Sequence, residues 1–143
     1  MKLTRILLEG PLAYDSEYNK AVDAIKAKGG VYLGSGDYGS VFQVGDRAVK
    51  VTTDEIELEH AEILKGKQTS HFVHIYDVEV IHPKLGVITM ADMEPYKGTI
   101  SDEFLDDLEQ EATQLGIDPE ELDIRPDNFM IDPQTGKLKM TDV

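Results

Sequence analysis

The residues from Gly30 to Val51, GVYLGSGDYGSVFQVGDRAVKV, restrict the possible fold more than any other stretch of this chain. Val31-Tyr32-Leu33, Ser40 to Val44 and Arg47 to Val51 are rich in β-branched and aromatic residues, which favour strands. Glycines separate the first two runs, and Gly45-Asp46 forms a tight turn between the second and the third. The stretch therefore predicts three consecutive antiparallel strands.

Three glycines lie between the first two strands, in the pattern G-x-G-x-x-G-x-V that ends at Val41. In a dinucleotide-binding fold a helix would follow this pattern, whereas strand residues follow it here. A loop between strands can cover phosphates with its backbone amides, and an ordinary glycine hairpin is the alternative. Ala48-Val49-Lys50 on the next strand favours the phosphate loop, because the stretch then resembles that of protein kinases, which implies a lysine that points inward to the phosphates.

The last stretch, Leu122 to Val143, carries three groups suited to a metal–nucleotide complex: Asp123, Asn128 and Asp142. Two short apolar runs separate Asn128 from Asp142, and the turn residues of DPQTG stand between the runs. Such a hairpin would bring Asn128 and Asp142 to the same end. Carboxylate and amide oxygens are ligands for hard cations, so the pattern predicts a Mg²⁺ site.

Amphipathic spacing predicts three helices. The first is capped by Asp15-Ser16, runs to about Lys28 and follows an N-terminal arm of residues 1–14. The second covers residues 54–66, with Ile56, Ala61, Ile63 and Leu64 as its apolar positions. The third covers residues 101–115 and is strongly acidic. A single helical turn after Asp118 would lead into Asp123.

Two further strands are predicted at residues 72–80 and 85–90, which would complete a five-stranded sheet. Residues 90–93 then lie at the end of the last predicted strand and directly after it. The four histidines show no metal-ligand spacing and are interpreted as structural or surface residues.

Composition excludes several classes of protein. A chain of 143 residues with 41% apolar residues suits one globular domain. The net charge of −14 disfavours nucleic acid and permits a basic protein partner. Without cysteine there is no disulfide framework or thiolate site. No apolar run is long enough for a membrane span or a signal peptide, so a cytoplasmic location is expected.

Taken in order, these motifs resemble those of protein kinases over residues 30–143. The resemblance implies an α+β fold: a protein-kinase-like N-lobe with a five-stranded antiparallel sheet and a regulatory helix, and a much reduced helical C-lobe ending in the catalytic-loop hairpin. It implies one minimal domain, residues 1–143. Within it, residues 1–29 form the N-terminal arm and helix, 30–93 the N-lobe and 94–143 the reduced C-lobe.

The resemblance also implies roles for individual residues, with ATP and Mg²⁺ as the bound species. Asp123 would be the catalytic base, and Arg125 stands where the family usually has a phosphate-contacting lysine. Lys50 would anchor the phosphates, and Asn128 and Asp142 would hold the metal. The residues implied to contact the nucleotide or Lys50 are Gly34, Ser35, Gly36, Gly39, Val41, Ala48, Lys50, Glu59, Met90, Ala91 and Met93.

In the regulatory helix, Glu59 is the glutamate chosen to pair with Lys50, with Glu55 and Glu62 as alternatives on the same face. The chain departs from the family pattern elsewhere. Glu121-Leu122 replace the family's His-Arg before Asp123, and after Asp142 only Val143 follows, without an activation segment. We expect a kinase reduced to its nucleotide site, as in a phage or mobile element, or a truncated product of a longer one.

Three functions follow from the resemblance. The first is a compact ATP- and Mg²⁺-dependent kinase that phosphorylates Ser or Thr of a protein, either another protein or itself. The alternative is a non-catalytic kinase-like module, a pseudokinase, that binds and regulates a partner through acidic residues such as Asp106, Asp107 and Glu111. The third is phosphoryl transfer to a small molecule. Substrate and oligomeric state stay open.

Overall fold

The computed structural model describes residues 11–36 and 38–143, which form two sheets and three α-helices. The helices are α1 (Pro11–Ala27), α2 (Glu55–Leu64) and α3 (Asp102–Leu115), with single 3₁₀ turns at Pro119–Glu121 and Pro126–Asn128. The strands are β1 (Val31–Ser35), β2 (Gly39–Val44), β3 (Arg47–Thr52), β4 (Ile75–His82), β5 (Leu85–Ala91), β6 (Glu94–Pro95), β7 (Phe129–Ile131) and β8 (Leu138–Met140).

The five-stranded sheet has the strand order β1-β2-β3-β5-β4, and all its neighbours are antiparallel. Strand β3 lies at its centre, where Lys50 pairs with Val41 of β2 and with Ile88 of β5. Successive side chains of a strand point to opposite faces of the sheet. Ala48 accordingly joins the core on the inner face, whereas Val49 packs with α1 on the outer face. Lys50 shares the inner face with Ala48.

Helix α1 covers the outer face of this sheet. Tyr18, Val22 and Ile25 pack there against a cluster that includes Phe42, as the sequence pattern predicts. The predicted cap at residues 15–16 is wrong, because the helix already begins at Pro11. Proline is suited to the first helical turn, since its missing N–H would have no partner there. The remainder of the predicted N-terminal arm lies outside the described residues.

Helix α2 crosses the inner face. Asp54 caps it by accepting hydrogen bonds from the backbone amides of Ile56 and Glu57. Its buried positions are Glu57, Leu58, His60, Ala61 and Leu64. Ile56 was predicted to lie on the apolar face but is 44% exposed and lines a cleft beside the sheet.

The hairpin of β7 and β8 joins β6 in a second, three-stranded sheet. It is tied to the first half of the chain where Val73 donates to the Met140 carbonyl at 2.9 Å and Met140 donates to the His71 carbonyl at 2.8 Å. Phe72 therefore makes an isolated bridge to Met140, and β4 begins at Ile75 rather than at Phe72 as predicted. This connection brings Asp142 beneath the inner face of the five-stranded sheet.

Helix α3 packs through Leu108 and Ala112 and leaves most of its carboxylates exposed. Ser101 caps its start, and Gly116 ends it in the left-handed conformation at a φ of 88°. Glu111 is different from the other acids, because it accepts from the backbone amides of Ser70 and His71, both at 2.9 Å.

The predicted α+β architecture is confirmed. Within the described ranges, no helix combines the length and apolar character needed to cross a membrane.

Candidate functional site

A cleft of about 670 Å³ separates the five-stranded sheet from the β7–β8 hairpin. Its walls come from the glycine loop, β3, the start of α2, the segment after β5 and the residues around the catalytic-loop pattern. The sequence-predicted residues that line it are Gly34, Ser35, Gly36, Gly39, Val41, Ala48, Lys50, Met90, Ala91, Met93, Asp123, Arg125, Asn128 and Asp142. Residues far apart in the chain thus face one cavity.

The glycine loop forms the upper wall. A Cβ atom on Gly39 would lie 1.9 Å from the Val51 carbonyl oxygen, so β2 and β3 can pair here only if the residue is glycine. Gly36 faces open space and donates its amide to the Gly39 carbonyl at 2.9 Å. The base of the loop is joined to α1, where the Tyr18 hydroxyl lies 2.7 Å from the Ser40 hydroxyl.

Lys50 is the centre of an ionic cluster on the floor of the cleft. Its ammonium donates to Glu57 Oε2 at 2.6 Å and to Asp142 Oδ1 at 2.9 Å. The other Glu57 oxygen accepts from the Thr52 hydroxyl at 2.8 Å, and Thr52 in turn accepts from the Asp54 amide at 3.1 Å. Only 14% of the Lys50 side chain and 3% of the Glu57 side chain is exposed. Both acids therefore hold the ammonium in one position.

The glutamate that pairs with Lys50 is Glu57, and the predicted assignment to Glu59 is wrong. Residues two positions apart on a helix do not share a face, so when Glu57 points to β3 Glu59 points to solvent. Glu55 and Glu62, the alternatives, do not contact Lys50 either. In the sequence, Glu57 can be identified only by its place beside Leu58 and Ala61 on the buried face of the helix. The many acidic residues of this helix made that face hard to recognise.

The protonation of this cluster is set by burial and by mutual charge. Burial acts to lower the pKa of Lys50, but the charges of Glu57 and Asp142 outweigh it and hold that pKa above its ordinary value. Burial raises the pKa of Glu57 to about 7, against the opposing charge of Lys50. For Asp142 burial opposes ionisation, but the hydrogen bond with Glu57 and the charge of Lys50 together lower its pKa.

The residues of the D-x-x-x-x-N pattern lie opposite Lys50. The buried Asn128 amide donates to the Asp123 carbonyl at 2.6 Å, which fixes the turn between them. The Asp123 carboxylate pairs with the Arg125 guanidinium at 3.0 Å, and these side chains are 59% and 57% exposed. Thr141 donates its amide to the Asn128 carbonyl at 2.8 Å, so Asn128 and Asp142 lie at the same end of the hairpin, as predicted, and both line the cleft.

Asn128 and Asp142 have the donor atoms that Mg²⁺ prefers. The amide nitrogen of Asn128 is used by the Asp123 carbonyl, which leaves its amide oxygen as the atom that can bind a cation. Among the described residues, no group of three or more His, Cys, Asp or Glu side chains converges on one point. One carboxylate and one amide suit Mg²⁺, which takes few protein ligands and completes its shell with phosphate oxygens and water.

Some residues in or next to the cleft were not assigned to the site from the sequence. His60, interpreted as a structural or surface histidine, is structural: it is 2% exposed and contacts Glu121 and Val143, which line the cleft. Leu33, Tyr38 and Met130 add apolar surface to the walls. The apolar residues have no distinctive spacing, and the His60 contacts span 83 and 61 positions, so local patterns contain no signal for them.

Comparisons with solved structures define the fold class. A crystal structure of Rad53 1-466 in complex with AMP-PNP matches with a TM-score of 0.56 and 16% identity, over 78% of this chain and 36% of that chain. The Mycobacterium tuberculosis PknI kinase domain matches with a TM-score of 0.51 and 15% identity, over 78% of this chain and 57% of that chain. A mutant of the same PknI domain gives a TM-score of 0.50, with 16% identity over the same shares of the two chains.

The chain has a protein-kinase-like fold. It spans about a third of the Rad53 chain and just over half of the PknI domain. At these identities the likeness concerns the fold and leaves the activity to be argued from the site. No protein-family model and no curated protein sequence matches the chain.

Proposed function

We propose that this protein binds ATP with Mg²⁺ in the cleft and transfers the terminal phosphoryl group to a Ser or Thr hydroxyl of a protein. One observation carries the proposal: Lys50 is held between Glu57 and Asp142 at 2.6 and 2.9 Å, on the floor of a cleft covered by a glycine loop. A fixed ammonium between a helix glutamate and a metal-binding aspartate is the arrangement that phosphoryl transfer by kinases requires.

Different parts of the cleft would bind different parts of the nucleotide. The open backbone at Gly36 allows close approach to phosphates, while Ala48 and Met90 offer apolar surface to a purine ring. A triphosphate carries several negative charges, and Lys50 supplies the matching fixed cation. Asn128 and Asp142 would hold Mg²⁺, which would neutralise phosphate charge. The Rad53 structure, similar in fold, contains AMP-PNP, which supports a nucleotide as the ligand.

In the chemical step, the acceptor hydroxyl oxygen forms a bond to the terminal phosphorus, and the bond from that phosphorus to the bridging oxygen of ADP breaks. The hydroxyl proton passes to the Asp123 carboxylate, which is exposed enough to meet a protein substrate. Arg125, paired with Asp123 at 3.0 Å, would turn to the transferred phosphate as charge develops there. The electron pair of the broken bond stays on the bridging oxygen, and ADP leaves as the second product.

A non-catalytic binding module is the second candidate, and the acidic surface of α3 favours it. Asp102, Glu103, Asp106 and Asp107 are on this helix and suit a basic protein partner. Glu111 was expected to belong to this surface, but it is engaged by Ser70 and His71 and serves the fold. The partner surface is therefore better tested by reversing the charges of Asp106 and Asp107.

One experiment separates the two functions. The protein, its Asp123→Asn variant and the double variant Asp106→Lys/Asp107→Lys are incubated with radiolabelled ATP, Mg²⁺ and a basic protein such as histone. An enzyme labels the protein substrate or itself, and Asp123→Asn lowers labelling by about a hundredfold or more, because a general base contributes about that factor. The binding module would be established by two results together. The parent labels neither protein, and only the α3 variant loses binding to a basic partner.

A further inference from the structure

His60 connects α2 to two segments that line the cleft. It is 2% exposed, its Nδ1 lies 2.6 Å from the Val143 main-chain oxygen, and its Nε2 lies 3.2 Å from Glu121 Oε1. A main-chain oxygen can only accept, so Nδ1 carries a proton and donates it. The ring thus links the helix to the residue after Asp142 and to the turn that precedes Asp123.

The position of His60 on the helix explains the effect of this link. It follows Glu57 by three residues, and residues at that spacing share a helix face. Glu57 fixes Lys50, which donates to the Asp142 carboxylate at 2.9 Å. Helix α2 therefore holds the Asp142-Val143 dipeptide at two points, through the side chain of the first residue and the main-chain oxygen of the second.

A dipeptide held at both points has little freedom to swing its carboxylate. The Val143 residue is itself 7% exposed, so its contact with His60 is sheltered from competing water. Glu121, which stands where the kinase pattern has histidine, completes the link by meeting the opposite ring nitrogen. The two polar contacts of His60 thus act on the same end of the cleft as the metal pair.

We propose that His60 is a positioning residue for the Mg²⁺ ligand Asp142. It touches neither nucleotide nor metal and acts through the main chain of Val143, so that the Asp142 carboxylate and the Asn128 amide stay at one spacing. This inference rests on the proposed function, because it takes Asn128 and Asp142 as the metal pair. Partners outside a metal site often tune affinity in this way.

Two substitutions separate the two contacts of the ring. In His60→Asn the amide nitrogen replaces Nδ1 and keeps the donor to Val143. In His60→Gln the amide nitrogen replaces Nε2, keeps the contact with Glu121 and loses the donor to Val143. We expect His60→Gln to reduce the gain in ATP affinity produced by Mg²⁺ by about tenfold, the lower range for outer partners of a metal site. His60→Asn should stay near the parent.

The measurement is the ratio of two dissociation constants for ATP, one in saturating Mg²⁺ and one in EDTA. His71→Gln is the matched control, since it removes an Nδ1 contact with a carboxylate, 2.9 Å from Glu111, outside the cleft. A purely structural loss would lower the melting temperature of both glutamine variants and leave both ratios unchanged. The positioning role requires that only the His60→Gln ratio falls.

The outcomes distinguish this inference from the function on which it rests. If Mg²⁺ does not change the affinity of the parent for ATP, the proposed metal pair fails and the role of His60 fails with it. If Mg²⁺ acts on the parent but the His60→Gln ratio equals the parent's, or falls only as far as the His71→Gln ratio, the positioning role alone is overturned.

A measurement on the parent covers the case in which His60→Gln does not fold. The ¹⁵N signal of His60 Nδ1 is recorded with AMP-PNP bound, before and after Mg²⁺ is added. Because Nδ1 donates to the residue next to Asp142, we expect its signal to shift while that of His71 Nδ1 stays in place. An unchanged His60 signal, with Mg²⁺ binding verified by a change in affinity, overturns the proposal.

Discussion

Two ion pairs on opposite walls of the cleft differ in almost every physical property. Lys50 and Glu57 are 14% and 3% exposed, and a second acid and a threonine hydroxyl complete their contacts. Asp123 and Arg125 are 59% and 57% exposed and are joined by one contact at 3.0 Å. The first pair is fixed by the packing of α2 on the inner face of the sheet, whereas the second lies on the surface of a turn.

The difference indicates how the site is organised. Charges fixed in a buried place cost no rearrangement when phosphates arrive, which is what a nucleotide anchor needs. An exposed aspartate can meet a large substrate and exchange partners with an arginine. We therefore expect substitutions at the buried pair to affect stability and nucleotide binding together, and substitutions at the exposed pair to affect only the transfer step.

The largest expected effect is on stability, in Lys50→Met. Removing one partner of a buried ion pair leaves the other unpaired and costs about 3 kcal/mol or more. Burial raises the pKa of Glu57 to about 7 even against the opposing charge of Lys50. Without Lys50, Glu57 takes up a proton more readily, so the loss should shrink between pH 8 and pH 6. Urea unfolding measures it. Lys20→Met, which removes an exposed pair with Glu17 at 3.4 Å, is the control and should change little.

The second prediction compares two glutamates of one helix. Glu57→Gln should weaken ATP binding about tenfold, or about 1.4 kcal/mol, because Lys50 is then held by one acid alone. Glu59→Gln removes the same charge from the exposed side of α2 and should leave the affinity unchanged. Titration with a fluorescent ATP analogue measures both. Equal losses would mean that general charge, rather than the Lys50 contact, controls binding.

The sheet and the glycine loop around Lys50 could be predicted from the sequence, because local patterns specify strands and turns. The five strands, the hairpin and the helix over residues 54–66 follow from periodicity and turn residues. The partner of Lys50 did not, since several glutamates on α2 compete and only the packing of Leu58 and Ala61 decides among them. The start of β4 depends on a contact between Phe72 and Met140, far apart in the chain, which no local pattern contains.

The third prediction uses pH. The folded pKa of Glu57, about 7, lies above the ordinary value of 4.5, so the native state binds a proton more tightly than the unfolded chain. The stabilising contribution is fully present below pH 4.5 and is lost as the pH rises through 7. Relative to Glu57→Gln, the parent should lose stability between pH 6 and pH 8 in urea unfolding. Parallel pH profiles would contradict the raised pKa.

The smallest expected effect on stability is at the exposed pair. Arg125→Gln should change the free energy of unfolding by about 0.5 kcal/mol or less, because exposed ion pairs contribute about 0–1 kcal/mol. Phosphoryl transfer should fall in the same variant. Thermal unfolding and the labelling assay measure the two effects. A loss of stability as large as that of Lys50→Met would remove the contrast between the two walls.

The most direct test of the central claim, that the Lys50 cluster anchors a nucleotide, is a calorimetric titration with ATP and Mg²⁺. It compares the parent with Lys50→Met at a temperature where circular dichroism shows both to be folded. We predict that the parent binds one ATP and that the affinity of the variant is lower by at least about tenfold, the loss of about 1.4 kcal/mol. Equal affinities, or a parent that binds no ATP at millimolar concentration, would contradict the account.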